Sequence, residues 1–372
     1  MEKDWNQLQS KTIDVLRFPM VAAVVLLHHA YTVMDSSSAT VSALCVLFHG
    51  ILCRLSVPFF FFIAGYLFFS KLERWDWDVW KTKIQRRIWT LLVPYILWNV
   101  LAFFAYWGYA RIFGEPATFV SQYERYGGLR MFLGTGGGIP LGHRDFPING
   151  PLWFMRDLMY FALMTPAIYV FLRYTKVYGV LLLIAGHLAV EGVVHEGFVF
   201  FVGGSFLRLE NRNIVQMVLP WRKMLYGVSI LLVVVLFYLY GHSSPYWVRF
   251  FKFFFLMAGI GASFCLAADL VQKGGVRTGS FLGHSSFFVY ALHMVILPRE
   301  YSHEILDAIY PFSGEAWEII EFFLTPALLV VLCVAILWLL ERWLPRVACV
   351  LTGNRTAKQL ITLSQEGKPE KK

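Results

Sequence analysis

Charge is scarce in this chain. Only 15% of its 372 residues are Asp, Glu, Lys or Arg, against 58% apolar and 17% aromatic. That balance excludes a single soluble core and predicts a polytopic membrane protein. Cysteine is scarce too. The five (Cys45, Cys53, Cys265, Cys333, Cys349) form no CxxC pair, and four stand in apolar runs where a thiol acts as a small hydrophobe, so neither a disulfide framework nor a metal site is expected. No internal repeat is visible, nor the inverted symmetry of many secondary transporters. No convincing signal peptide is expected either, since cleavage after SSSATVSA would discard the charged first helix. The glycines of LGTGGGIPLGHRDFPINGP lack a GK[ST] and a preceding strand, which excludes a P-loop.

What is present is a series of apolar runs, at roughly 13–34, 40–69, 88–109, 151–172, 177–194, 197–208, 224–240, 246–270, 281–298 and 321–344. A helix needs about 20 residues to cross the hydrocarbon core, so eight of these suffice or nearly so. The fifth and sixth, interrupted by EGVVHEG, read as two short spans or as one re-entrant hairpin. With the N-terminus inside, most of the 33 Lys and Arg fall in cytoplasmic segments, notably Lys71, Arg74, Lys81, Lys83, Arg86 and Arg87 and the stretch after Leu340. The outer segments hold Arg111, Arg125, Arg130, Arg144, Arg249 and Arg299. This asymmetry predicts an all-α bundle of about ten transmembrane helices with both termini cytoplasmic, and it explains the net charge of +9 by anionic lipid rather than nucleic acid. The expected organisation is one transmembrane domain over 1–345, with a long outer loop at 110–150, and a basic polar tail over 346–372. The loop suits a lid or acceptor-binding segment, although His143, Arg144 and Asp145 read first as solvated charges.

The first run carries RFPMVAAVVLLHH, one arginine and two histidines in an otherwise lipid-soluble helix. Arg17 and His28 are eleven residues apart, within about 20° of one helix face and about 16 Å along the axis. Asp14 lies one turn below Arg17 on the same side, while His29 points about 100° away from His28. An arginine near a helix end can snorkel to the headgroups. An intramembrane histidine needs a partner or a wet cavity, and its ordinary pKa suits proton transfer. Other polar residues in apolar runs have two readings each. Arg54 lines the same cavity or marks the outer boundary. Lys83, Arg86 and Arg87 anchor the helix by charge or bind phosphate. Trp153 is an interfacial anchor or an acceptor platform. His293 is satisfied by a neighbouring helix or belongs to the site. Arg156 and Asp157, adjacent and so about 100° apart, are expected to pair with other helices rather than each other.

These residues carry a resemblance. Asp14, Arg17 and His28, spaced D-x-x-R-x10-H, look like the signature of the acyltransferase-3 family of bacterial integral-membrane acyltransferases. In the same order, RLSVPFFFFIAGYLF (54–68), KIQRRIWTLLVPYILWN (83–99), GPLWFMRDLMY (150–160) and LGHSSFFVYALHMVIL (282–297) resemble its later segments. One departure is that Arg86 and Arg87 are adjacent where the family spaces its basic residues. The resemblance implies transfer of an acyl group, commonly acetyl, from cytoplasmic acyl-CoA to a hydroxyl or amine of a cell-envelope glycan or lipid-linked glycan, in the inner membrane of a bacterium. It makes His28 the catalytic base or acyl-transfer residue and Arg17 its essential companion. Asp14, Arg54, Trp153, Arg156 and His293 would support them, Lys83, Arg86 and Arg87 would hold the donor phosphates, and no metal is expected. The competing class is a secondary transporter or flippase using the same intramembrane charges.

Overall fold

The computed structural model describes residues 4–30, 36–70, 74–114, 130–134, 146–276, 281–310 and 312–353, and among these no strand occurs. The helices are α1 (Trp5–His29), α2 (Ala39–Cys45), α3 (Ser56–Phe68), α4 (Trp77–Arg87), α5 (Val93–Phe113), α6 (Arg130–Leu133), α7 (Trp153–Leu163), α8 (Thr165–Ala189), α9 (Glu196–Leu209), α10 (Ile214–Val218), α11 (Arg222–Leu239), α12 (Pro245–Gln272), α13 (Phe281–Ile296), α14 (Ser302–Ile309), α15 (Glu315–Trp343) and α16 (Pro345–Leu351). By length and composition six helical stretches among the described residues can cross a membrane: Ala39–Phe68, Trp77–Phe113, Thr165–Ala189, Ile214–Leu239, Pro245–Gln272 and Glu315–Trp343. A seventh is added if α13 and Arg299–Ile309, bent by 41°, count as one span. The protein is thus an all-helical, multi-pass membrane protein. His143, Arg144 and Asp145, most of the 110–150 loop and residues 354–372 lie outside the described residues.

The chain forms two compact units: Met1–Lys81, Tyr160–Thr278 and Pro311–Pro326 make the first, and Thr82–Met159, Gly279–Tyr310 and Ala327–Lys372 the second.

In the first unit α1 starts on an Asp4 cap, whose carboxylate accepts from the Asn6 and Gln7 amides at 3.1 and 3.0 Å. Its base is fastened by Gln9, which donates to the Tyr66 hydroxyl at 3.0 Å and accepts from the Ile214 amide at 2.5 Å. Tyr66 donates in turn to the Arg212 carbonyl at 2.9 Å. α3 and α9 cross at the distance only glycine permits: a Cβ on Gly65 would lie 2.0 Å from the Phe201 carbonyl oxygen, and one on Gly204 2.0 Å from that of Phe62. Phe59, Phe61, Phe161, Phe201 and Phe264 are fully buried in this unit. Such contact is what holds membrane helices together where the surrounding lipid is as apolar as the side chains.

The apolar runs 151–172 and 177–194 predict a break between 172 and 177. The helix assignment runs through α8 there, but Lys176 has φ 51° and ψ −133°, outside any helical region. A Cβ on Gly179 would meet the Phe171 ring at 2.8 Å, a contact eight residues apart that a straight helix cannot make. The path therefore turns sharply at Lys176, so Thr165–Ala189 has the length and composition of a span without being one straight crossing. The EGVVHEG interruption is the corner between α8 and α9, fixed by His187 Nδ1 at 2.9 Å from the Val194 carbonyl and by Arg249–Glu191 and Lys252–Glu196 ion pairs at 3.0 and 3.4 Å.

The second unit is built on α5. Pro94 has no N–H for the Thr90 carbonyl, and the chain widens into a π-helical turn over Ile88–Leu92, with the Val93 amide reaching back to the Ile88 carbonyl. Buried Trp98 meets the Phe288 ring at 5.3 Å and donates to the Leu351 carbonyl at 3.0 Å, which docks α16. Asn99 accepts from the Asn149 amide at 3.0 Å, and the Asn149 side chain donates to the Ala291 carbonyl at 2.8 Å. Ala102, Tyr106, Met131, Ile148 and Tyr301 pack as one apolar cluster in this unit.

Candidate active site

The signature residues all lie on one uninterrupted helix, since α1 runs from Trp5 to His29 with Pro19 inside it. The two histidines at its end differ in exposure: His28 is partly exposed and His29 buried at 4%. Arg17 NH1 meets Asp14 Oδ1 at 2.9 Å, with the two side chains 44% and 40% exposed. Such a pair is only weakly stabilising, because solvent screens it, and both groups keep surface for a ligand.

Beside the last turn of α1 lies irregular helix. α2 continues as a π-helical turn over Val46–Ile51 and a 3-10 turn over Leu52–Leu55 before α3 begins. Arg54, whose place was open between cavity and boundary, is bound here to His49. Its Nε donates to the His49 carbonyl at 3.1 Å and its NH2 to His49 Nε2 at 3.0 Å. His49 Nδ1 lies 2.9 Å from the carbonyl oxygen of Leu27, the residue before His28. Sequence reasoning missed His49, although the rule that drew attention to His28, that a histidine within an apolar span needs a reason, applies to it equally. Ala30, Val41, Cys45 and Phe322 close the neighbouring space as an apolar cluster. Tyr240 donates to the Gly50 carbonyl at 2.8 Å.

The remaining predicted residues belong to the second unit. Lys83 and Arg87 are partly buried and Arg86 exposed, at the C-terminal end of α4 directly before the π-helical turn. Trp153 opens α7, half-buried. Arg156 and Asp157 correct the sequence expectation, because they bond to each other: Arg156 Nε to Asp157 Oδ1 is 3.0 Å, at 1% and 0% exposure. The 100° separation holds for the Cα positions, but a long arginine stem curls back across it and still sends NH1 to the Leu133 carbonyl at 2.8 Å. His293 is fully buried, its Nδ1 3.1 Å from the Val289 carbonyl one turn earlier on α13. Tyr290, on the same helix, donates to the Pro151 carbonyl just before Trp153. The site residues thus divide into Asp14, Arg17, His28, His49 and Arg54 in the first unit, and Lys83, Arg86, Arg87, Trp153, Arg156 and His293 in the second.

Comparison with known proteins identifies the family. An acyltransferase domain matches residues 10–344, nearly the whole chain. The chain is 26% identical over 376 residues to the succinoglycan biosynthesis protein ExoH of Rhizobium meliloti, covering 96% of each. No solved structure matches. A match of this extent shows that the chain belongs to the acyltransferase-3 family and is a membrane acyltransferase.

Proposed function

We propose that this protein transfers an acyl group, acetyl in the first instance, from cytoplasmic acyl-CoA to a hydroxyl or amine of a cell-envelope glycan or lipid-linked glycan, in the inner membrane of a bacterium, with ten crossings and both termini inside. The observation that carries the reading is that one continuous helix, α1, bears the partly exposed His28 and the half-exposed Arg17–Asp14 pair, whose spacing puts them near one face. A relative whose name places it in succinoglycan biosynthesis supports a glycan acceptor.

In this reading His28 is the catalytic base. It takes the proton of the acceptor hydroxyl as that oxygen attacks the thioester carbonyl. The adduct collapses with cleavage of the C–S bond, and the imidazolium returns its proton to the departing CoA thiolate. A positioned base of this kind contributes about 10²- to 10⁴-fold. Arg17 stands about 16 Å lower on the helix, too far to touch the same carbonyl, and so binds the donor's phosphates. Lys83, Arg86 and Arg87 supply basic side chains suited to donor phosphates. Trp153, Arg156 and His293 are supporting residues within the second unit.

The test is release of CoA from labelled acetyl-CoA by the purified protein in detergent, with envelope glycan as acceptor. His28→Ala should lose at least about a hundredfold in turnover. Flux of a solute through liposomes with no CoA release from any acceptor would instead support the transporter class. Mass spectrometry of envelope glycans with and without the protein names the acceptor through the missing acyl ester or amide.

A further inference from the structure

The chemistry above makes no use of His49, whose tautomer follows from the partners of its two ring nitrogens. Its Nδ1 faces the Leu27 carbonyl oxygen at 2.9 Å, and a carbonyl only accepts, so Nδ1 carries the hydrogen. Nε2 is then a lone pair. Facing it at 3.0 Å is Arg54 NH2, which only donates. The backbone of the same histidine takes a second arginine hydrogen, from Nε to the His49 carbonyl at 3.1 Å. One buried residue, 7% exposed, therefore grips two of the three guanidinium nitrogens. Among the described residues, NH1 enters no hydrogen bond with the protein. The grip is built on a π-helical turn, a distortion frequent at functional sites, and its other end is the backbone of α1 one residue before His28.

We propose that His49 is a positioning residue: through its carbonyl and its bare Nε2 it fixes two nitrogens of Arg54 and leaves NH1 to present a fixed positive charge to an oxygen of the acyl donor. The inference rests on the acyl-transfer reading. Its chemistry follows from the fork geometry of arginine, in which fixing Nε and NH2 also fixes NH1. A donor held this way loses no freedom when charge develops on the thioester oxygen, which is the condition under which a hydrogen bond accelerates acyl transfer. His49 touches no reacting atom; it acts through Arg54.

Two conservative variants separate this role from simple stapling of helices. Asparagine keeps a donor near the Nδ1 position and loses the acceptor for Arg54, whereas glutamine keeps an acceptor near Nε2 and loses the bond to Leu27. His49→Gln should retain turnover within about threefold of wild type, while His49→Asn and Arg54→Leu should each lower kcat by about 10²- to 10³-fold with the acceptor's KM unchanged. The opposite ranking, with Asn active and Gln inactive, or equal losses in both, would overturn the proposal. A second readout does not depend on activity. In ¹⁵N spectra of labelled protein, the histidine resonances lost in His49→Gln should show a protonated Nδ1 and a bare Nε2, and the Nε2 signal should shift in Arg54→Leu. A protonated Nε2 in wild type would overturn the clamp. Wild-type protein that releases no CoA but shows the expected spectrum would refute the acyl-transfer reading and the role of NH1 in it, and would leave the clamp standing.

Discussion

Two arginine–aspartate pairs stand at opposite extremes of environment. Arg17 and Asp14, three residues apart on α1, meet at 2.9 Å with 44% and 40% of their side chains exposed. Arg156 and Asp157, neighbours in sequence on α7, meet at 3.0 Å with 1% and 0% exposed. Equal separation does not mean equal role. The first pair is screened by solvent, contributes little to stability and keeps donors for a substrate. The second has given up its hydration, and Arg156 spends a further donor on the Leu133 carbonyl, so removing one partner alone is costly.

Breaking the buried pair should produce the largest effect. Asp157→Ala leaves a guanidinium in the interior without its partner and should cost about 3 to 5 kcal/mol, read as loss of folded protein on thermal unfolding in detergent. Replacing both at once, with Arg156→Met and Asp157→Leu, should restore most of that loss, because the desolvation penalty of the pair disappears with the pair. Next in size is Arg17→Ala. It should leave thermal unfolding near wild type and raise the KM for acyl-CoA by about ten- to a hundredfold, the weight of one or two hydrogen bonds to a charged group. The smallest effect belongs to Asp14→Asn, which should change stability by less than about 1 kcal/mol. A loss of several kcal/mol in Asp14→Asn, or none in Asp157→Ala, would erase the distinction between the two pairs.

The contrast also shows how far the sequence is legible. Membrane class follows from composition, because no arrangement hides so much apolar surface in a soluble core. The position of Arg17 relative to His28 follows from helix periodicity, and α1 is continuous enough to preserve it across Pro19. The turn at Lys176 falls where the apolar runs 151–172 and 177–194 meet. The Arg156–Asp157 bond was not legible, because the 100° rule describes where a side chain starts and says little about where a long stem ends. The His49–Arg54 clamp was hidden for a different reason. A π-helical turn followed by a 3-10 turn abandons the 3.6 period on which face assignments rest, so the five-residue separation of His49 and Arg54 carried no expectation of contact.

The central claim is that the face of α1 bearing His28 performs the chemistry. Its most direct test is CoA release from acetyl-CoA by purified wild type, His28→Ala and His29→Ala, each verified as folded by thermal unfolding. The account predicts a loss of at least about a hundredfold for His28→Ala and retention of much of the rate for His29→Ala. Equal losses in the two folded variants, or full turnover without His28, would contradict it.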